Sequence, residues 1–246
     1  MKWNYQISRT IVLIVVVGVA ISQRAKADIL EVNNWVHQSQ VGSFSPGPPA
    51  GGSNVIVQNP YVADANFIYP QSPTTLTQTH YDYGWNDTSA HFNLVGHQRV
   101  RGGNLWASNN TNLIRIRPLT EILVVADGQY TYSMPQENGR RTQFHATISA
   151  MNNSIINTGG QTINSNAINP VSGVISYHFE QVLAPLPAGQ YYQLIHGFAL
   201  DSNSPSSAAA LSVGDGFSNF TITATPEPGS LGLLCIGLMA LKRRRR

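Results

Sequence analysis

Residues 121–133 read EILVVADGQYTYS, and residues 143–150 read QFHATISA. In the second stretch Phe144, Ala146, Ile148 and Ala150 alternate with Gln143, His145, Thr147 and Ser149. A period of two places one set on each side of an extended chain, so one side can be buried while the other meets water. In the first stretch, Glu121 to Ala126 and Gln129 to Ser133 flank Asp127-Gly128. That dipeptide suits a two-residue hairpin turn, because both of its members tolerate positive φ. A hairpin reversing at Asp127-Gly128, followed by a third strand, predicts an antiparallel all-β fold.

The same period extends outward in both directions. Phe92-Asn93-Leu94 and Ile114-Arg115-Ile116-Arg117 alternate apolar with polar, and Phe220, Ile222 and Ala224 alternate with Thr221 and Thr223. Further strands are predicted near Ile29 to Val36, Asn54 to Gln58, Ser172 to Phe179 and Tyr191 to Leu200. Gly-, Pro-, Asn- and Ser-rich stretches at Gly42 to Ser53, Gly102 to Asn112, Met151 to Asn169 and Asp201 to Gly216 read as connections. No ten-residue stretch between residues 28 and 225 carries a capped helical stripe, and no repeat recurs at a fixed spacing. These features predict one domain, Asp28 to Thr225, folded as an antiparallel β-sandwich of jelly-roll type. Its last strand runs straight into Thr225-Pro226, which predicts a short stub leaving the edge of the sandwich.

The flanks differ in kind. Lys2 and Arg9 precede an apolar run from Ile11 to Ile21, and Ala25-Lys26-Ala27 supplies small residues around a cut before Asp28. Residues 1–27 therefore read as a secretory signal peptide handled by the secretion translocon. Arg24 and Lys26 leave an uncleaved N-terminal anchor as the alternative. At the other end, Pro226-Glu227-Pro228 interrupts regular structure, Leu231 to Leu241 is apolar or glycine, and Lys242, Arg243, Arg244, Arg245 and Arg246 end the sequence.

Residues 226–246 resemble the PEP-CTERM sorting tail, also catalogued as the ice-binding-protein C-terminal domain. The resemblance implies recognition of Pro226, Glu227 and Pro228 by exosortase, a membrane protease, with cleavage at or near them. It also implies a Gram-negative-type envelope with exopolysaccharide or biofilm matrix. Physical chemistry agrees with a transient membrane anchor: five cations resist crossing a bilayer, so an apolar sorting helix would stop there with Pro226 to Pro228 at the outer face. The run is shorter than the roughly 20 residues of a spanning helix, a gap that snorkelling by Lys242 and the arginines narrows.

Removing both flanks inverts the charge. Between residues 28 and 225 there are six arginines, no lysine and eleven acids, a formal charge of −5, whereas the whole chain carries +3. Nucleic-acid binding loses its electrostatic basis, since phosphate contacts need clustered cations. The single cysteine, Cys235, lies in the tail, so the domain has no disulfide, thiolate metal site or cysteine nucleophile.

No Gly-x-Ser-x-Gly elbow, phosphate loop or His-Glu-x-x-His helix is present. No catalytic residue, metal site or cofactor is therefore assigned. His80, Asp82, Asp87, His91 and His97 form one His/Asp-rich region in which His80 and Asp82 share a strand face. They are expected on a solvated face, and a secreted hydrolase would need Asp82 and Asp87 to converge in one cleft. In extended chain Tyr81, Tyr83 and Trp85 also share a face, a strip on which sugar rings could stack beside Asp82, Asn86 and Asp87, with Trp106 as a second platform. The alternative is that these aromatics fill the core. Thr75, Thr77 and Thr79, like Thr221, Thr223 and Thr225, are expected on the wet faces of strands; two such runs are too few ranks for an ice-binding array. The expectation is an exported, non-catalytic β-sandwich at the cell envelope or released from it. The rivals are a carbohydrate-binding module acting on matrix polysaccharide and a secreted hydrolase.

Overall fold

A computed structural model describes residues 29–43, 53–58, 62–69, 72–101, 103–108, 112–135, 140–164, 171–204 and 211–225. The signal peptide, the mature N-terminus at Asp28 and the whole tail from Pro226 lie outside these residues. Among them are thirteen strands and no helix: β1 (Leu30–Ser43), β2 (Ser53–Gln58), β3 (Val62–Tyr69), β4 (Ser72–Trp85), β5 (Ser89–Arg101), β6 (Gly103–Ser108), β7 (Asn112–Pro118), β8 (Ile122–Met134), β9 (Arg140–Ser149), β10 (Ile155–Asn164), β11 (Val171–Leu183), β12 (Tyr192–Ser204) and β13 (Leu211–Ala224). Every pairing is antiparallel.

Sheet A runs β10-β9-β12-β6-β1-β2, and β7 continues the β6 column by pairing β1 and β12 further along. Sheet B runs β11-β8-β13-β5-β4-β3. The two pack into the expected antiparallel β-sandwich. Strands β1 to β7 build one side of both sheets and β8 to β11 the other, while β12 and β13, last in sequence, pair across the gap in each sheet.

Period two is written into the burial of β5, β8, β9 and β13, where alternate residues are buried. The inward side chains meet in an aromatic centre. Phe144 lies 5.6 Å from Tyr130, 4.8 Å from Tyr177 and 6.0 Å from Phe198, ring centre to ring centre. Rings in offset or tilted contact add about 0.5–1.5 kcal/mol per pair to the burial of their apolar area.

Four expectations are corrected. Asp127-Gly128 is no turn: both residues lie inside β8, paired to His178 and Tyr177 on one side and to Asn219 and Ser218 on the other. Gly128 faces the core, where a Cβ would stand 2.5 Å from Phe144 Cζ and 2.6 Å from Tyr177 Cζ. Glycine is there because two rings occupy the space, not because the chain reverses. A real reversal lies between β4 and β5, where Asn86 Oδ1 accepts the backbone N–H groups of Thr88 and Ser89, each at 2.9 Å.

The stretches 102–112, 151–169 and 201–216, read as connections, contain β6, β10, the end of β12 and the start of β13. Thr75, Thr77 and Thr79 are buried rather than wet, and Ser39 Oγ meets Thr79 Oγ1 at 2.7 Å between the sheets. Finally, β13 is a central strand between β8 and β5 up to its last residues, so the tail leaves from the end of a sheet interior rather than from an edge.

Candidate functional site

Residues predicted to form a sugar-stacking strip take different positions. Tyr81 and Tyr83 point inward and are 1% and 6% exposed, with Tyr83 stacked on Phe92 at 6.0 Å. Trp85, on the same face at the end of β4, is 45% exposed and leans on Tyr83 at 5.0 Å. The strip is therefore part of the core, and only its last member reaches solvent. Trp106 belongs to β6, and its side chain lies outside the described residues.

The outward residues of sheet B form ranks across four strands. One rank is Gln78 (β4), His97 (β5), Asp215 (β13) and Thr131 (β8); the next is His80, Val95, Phe217 and Gln129. These eight, with Thr79, Gly96 and Gly216, line an open groove of about 680 Å³. Val95 and Phe217 pair directly and are each 42% exposed, an apolar platform among the polar side chains of the groove. His97 Nδ1 is hydrogen-bonded to Asp215 Oδ1 at one end of it.

A third rank carries Asp82, Asn93, Asn219, Asp127 and His178. Asp82 accepts from Asn93 Nδ2 at 3.0 Å and lies 3.7 Å from His80 Nε2 and 3.4 Å from His91 Nε2. The expectation that His80 and Asp82 share an outward face is met. His178 Nδ1 lies 2.5 Å from Asp127 Oδ1, and that hydrogen bond holds its pKa above the ordinary imidazole range. Asp87 sits in the exposed β4–β5 turn, and neither it nor Asp82 lines the groove. Among the described residues no three His, Cys, Asp or Glu side chains form a metal-binding group.

Two further polar arrangements had no local sequence signal. His196 Nδ1 lies 2.6 Å from Ser218 Oγ, which also bonds the Tyr177 hydroxyl. Serine and histidine here are fully buried between the sheets, so the pair ties β12 to β13 and has no opening for a substrate. On the outer face of sheet A, Arg141 Nε donates to Asp201 Oδ2 at 2.7 Å. Burial pushes the Asp201 carboxyl up, and Arg141 opposes it.

The end of the sandwich where β13 stops is tightly fastened. Thr225 N donates to the Glu121 carbonyl at 3.1 Å, while Thr225 Oγ1 donates to that carbonyl and to Glu121 Oε1, each at 3.0 Å. Pro226 follows immediately, so no linker separates the fold from the tail.

Residues 224–246 match the PEP-CTERM protein-sorting motif. This motif is a substrate signal for exosortase-type sorting and directs export to the cell envelope. A search of the curated proteins finds no match. Among solved structures, infectious bursal disease virus (Gx strain) is 11% identical, covering 81% of this chain and 53% of the viral chain, with a TM-score of 0.31. This chain thus spans about half of the viral one. The family 11 carbohydrate-binding module from Clostridium thermocellum, in complex with a β-1,3-1,4-mixed-linked tetrasaccharide, is 7% identical, covering 78% of this chain and 98% of that module, with a TM-score of 0.20. The enzymatically active domain of bacteriophage CBA120 tailspike protein 4 is 10% identical, covering 74% and 19%, with a TM-score of 0.17.

Proposed function

We propose that this chain, carrying a PEP-CTERM sorting motif, is an exported envelope protein whose tail holds it at the membrane for processing and whose sandwich is a non-catalytic passenger. Export begins with the signal peptide at residues 1–27, and the mature chain begins at Asp28. The observation that carries the reading is the junction itself. The sorting motif begins at the last residue of β13 and continues past the clamped Thr225, so the fold is complete before the tail starts. A chain ending at Thr225 is expected to fold with a strand-rich dichroism spectrum and to appear in the soluble exported fraction, while the full chain is held in membranes. Finding the truncated chain still membrane-bound would overturn the reading.

A second reading for the passenger, binding of extracellular polysaccharide, is favoured by the groove on sheet B. An apolar platform at Val95 and Phe217, edged by Gln78, His80, His97, Gln129, Thr131 and Asp215, offers a surface for a sugar ring and hydrogen-bonding groups for its hydroxyls. Phe217→Ala is expected to weaken retention on a polysaccharide affinity gel about tenfold, the equivalent of about 1.4 kcal/mol. The dichroism spectrum should not change, because Phe217 is outward. Trp85→Ala is expected to leave retention unaltered. The opposite result, loss with Trp85→Ala and none with Phe217→Ala, would remove the groove from consideration.

A further inference from the structure

We infer that the end of the sandwich carrying both termini of the domain is a lipid-facing surface, held against the outer leaflet of the membrane for as long as the tail is in the bilayer. This rests on the membrane-held reading of the tail and goes beyond it by assigning which part of the passenger meets the lipid.

The two ends of the domain are fixed to one short turn. Leu119 N donates to the Ile29 carbonyl at 3.0 Å, and Thr225 is bonded to Glu121 as described. The segments that lead to the signal peptide and to the sorting tail therefore leave the fold two residues apart on the β7–β8 connection. The same end gathers the loop from Ala184 to Tyr191, whose Leu186 N donates to the Pro118 carbonyl at 3.1 Å, and the β4–β5 turn, whose Thr88 carbonyl accepts from Ala224 N at 3.2 Å.

Covalent reach then limits the distance to the bilayer. Five residues, Pro226 to Ser230, separate Thr225 from the apolar run at Leu231. Even fully extended they span at most about 18 Å. The headgroup layer on one side takes up about 5–8 Å of that. A strand of thirteen residues, such as β8, is about 43 Å long, so the tether is too short for the far end of the sandwich to turn towards the lipid.

The chemistry of the β11–β12 loop suits the position. The loop from Ala184 to Tyr191 carries no charged residue and offers Pro185, Leu186 and Pro187. At the same end, one register pair in from the β4–β5 turn, Trp85 is 45% exposed, and tryptophan is the residue type enriched at the water–lipid interface.

The cysteine-free passenger allows a direct test. Single cysteines are introduced in a full-length, uncut chain (Cys235→Ser with Pro226, Glu227 and Pro228 changed to Ala), at Ala188→Cys on the proposed surface and at Ser133→Cys near the far end. The chains are reconstituted in phosphatidylethanolamine–phosphatidylglycerol vesicles and labelled with a bulky polymer-linked maleimide. Ala188→Cys is expected to react several-fold more slowly than Ser133→Cys in vesicles and at the same rate in detergent. A Gly/Ser linker of about 20 residues, with an r.m.s. span of about 25 Å, inserted before residue 226 is expected to abolish the difference. Equal rates in vesicles, or a difference that survives the linker, overturns the assignment. Shielding confined to native membranes and missing from vesicles also overturns it, by showing that a protein covers this end. Failure of the chain to enter vesicles at all would instead sink the membrane-held reading of the tail.

Discussion

Two variants of the tail are expected to fail in opposite directions. With Lys242 to Arg246 replaced by Ser or Gln, the uncut chain should escape into the medium. With Pro226, Glu227 and Pro228 replaced by Ala, it should accumulate uncut in the membrane fraction. The first expectation follows from the cost of moving Lys or Arg into the bilayer centre, about 2.5–3.5 kcal/mol per residue on insertion scales. Five such residues make an effective stop, and the eleven-residue run from Leu231 to Leu241 is too short to hold firmly without them. The second follows from the separation of roles along the motif: the alanine variant keeps the apolar run and the cations but loses the recognition element. Because Thr225 is clamped to Glu121, neither change reaches into the sandwich. Both variant passengers should therefore keep the strand-rich spectrum. Fractionation with an antibody to the passenger separates the two outcomes, and wild-type processing of both variants would remove the tail as the sorting signal.

How far the sequence could be read depended on whether the controlling contacts were local. Alternation in β5, β9 and β13 was legible because each has one dry face and one wet one. Strand β10 was not, since it is an edge strand with most residues exposed on both faces and with Gly159 and Gly160 in its centre. Gly159 is required by a neighbour far away in sequence: a Cβ there would stand 2.8 Å from Tyr177 Cβ. Gly128 misled for the same reason. The alternation of Tyr81, Tyr83 and Trp85 was read correctly as a shared face, but period two does not say which face is the dry one. The groove left no local trace at all, because His97 and Asp215 stand 118 residues apart and meet only when β13 pairs with β5.

Gln98→Leu is expected to be the most damaging single change in the sandwich that leaves side-chain volume nearly constant. Gln98 is fully buried in β5, and its position answers a gap in sheet A. Strand β12 pairs with β7 up to His196 and with β6 from Ala199, so Gly197 and Phe198 have no partner on that side among the described residues. Gln98 Nε2 reaches across from sheet B into this gap, donating to the Phe198 carbonyl at 3.3 Å and to the Ala107 carbonyl at 3.0 Å. Its Oε1 accepts the Tyr130 hydroxyl at 2.7 Å. Burial holds the Tyr130 hydroxyl well above the ordinary phenol range, so it remains a donor, and Gly214 leaves it room: a Cβ there would lie 1.7 Å from Tyr130 Oη. Leucine would remove all three hydrogen bonds at once, and each buried group left unpaired costs about 1–3 kcal/mol. A loss of roughly 3 kcal/mol or more is expected, which for a domain of this size lowers the melting temperature by roughly 10 °C. Adding Tyr130→Phe removes a hydroxyl left with Thr142 as its side-chain partner and should recover up to about 1 kcal/mol, a coupling that independent sites do not show. If Gln98→Leu is within about 1 kcal/mol of the wild type in stability, the amide does not bridge the gap, and the joining of the two halves of the sandwich rests on other contacts, the pairing of β12 and β13 among them.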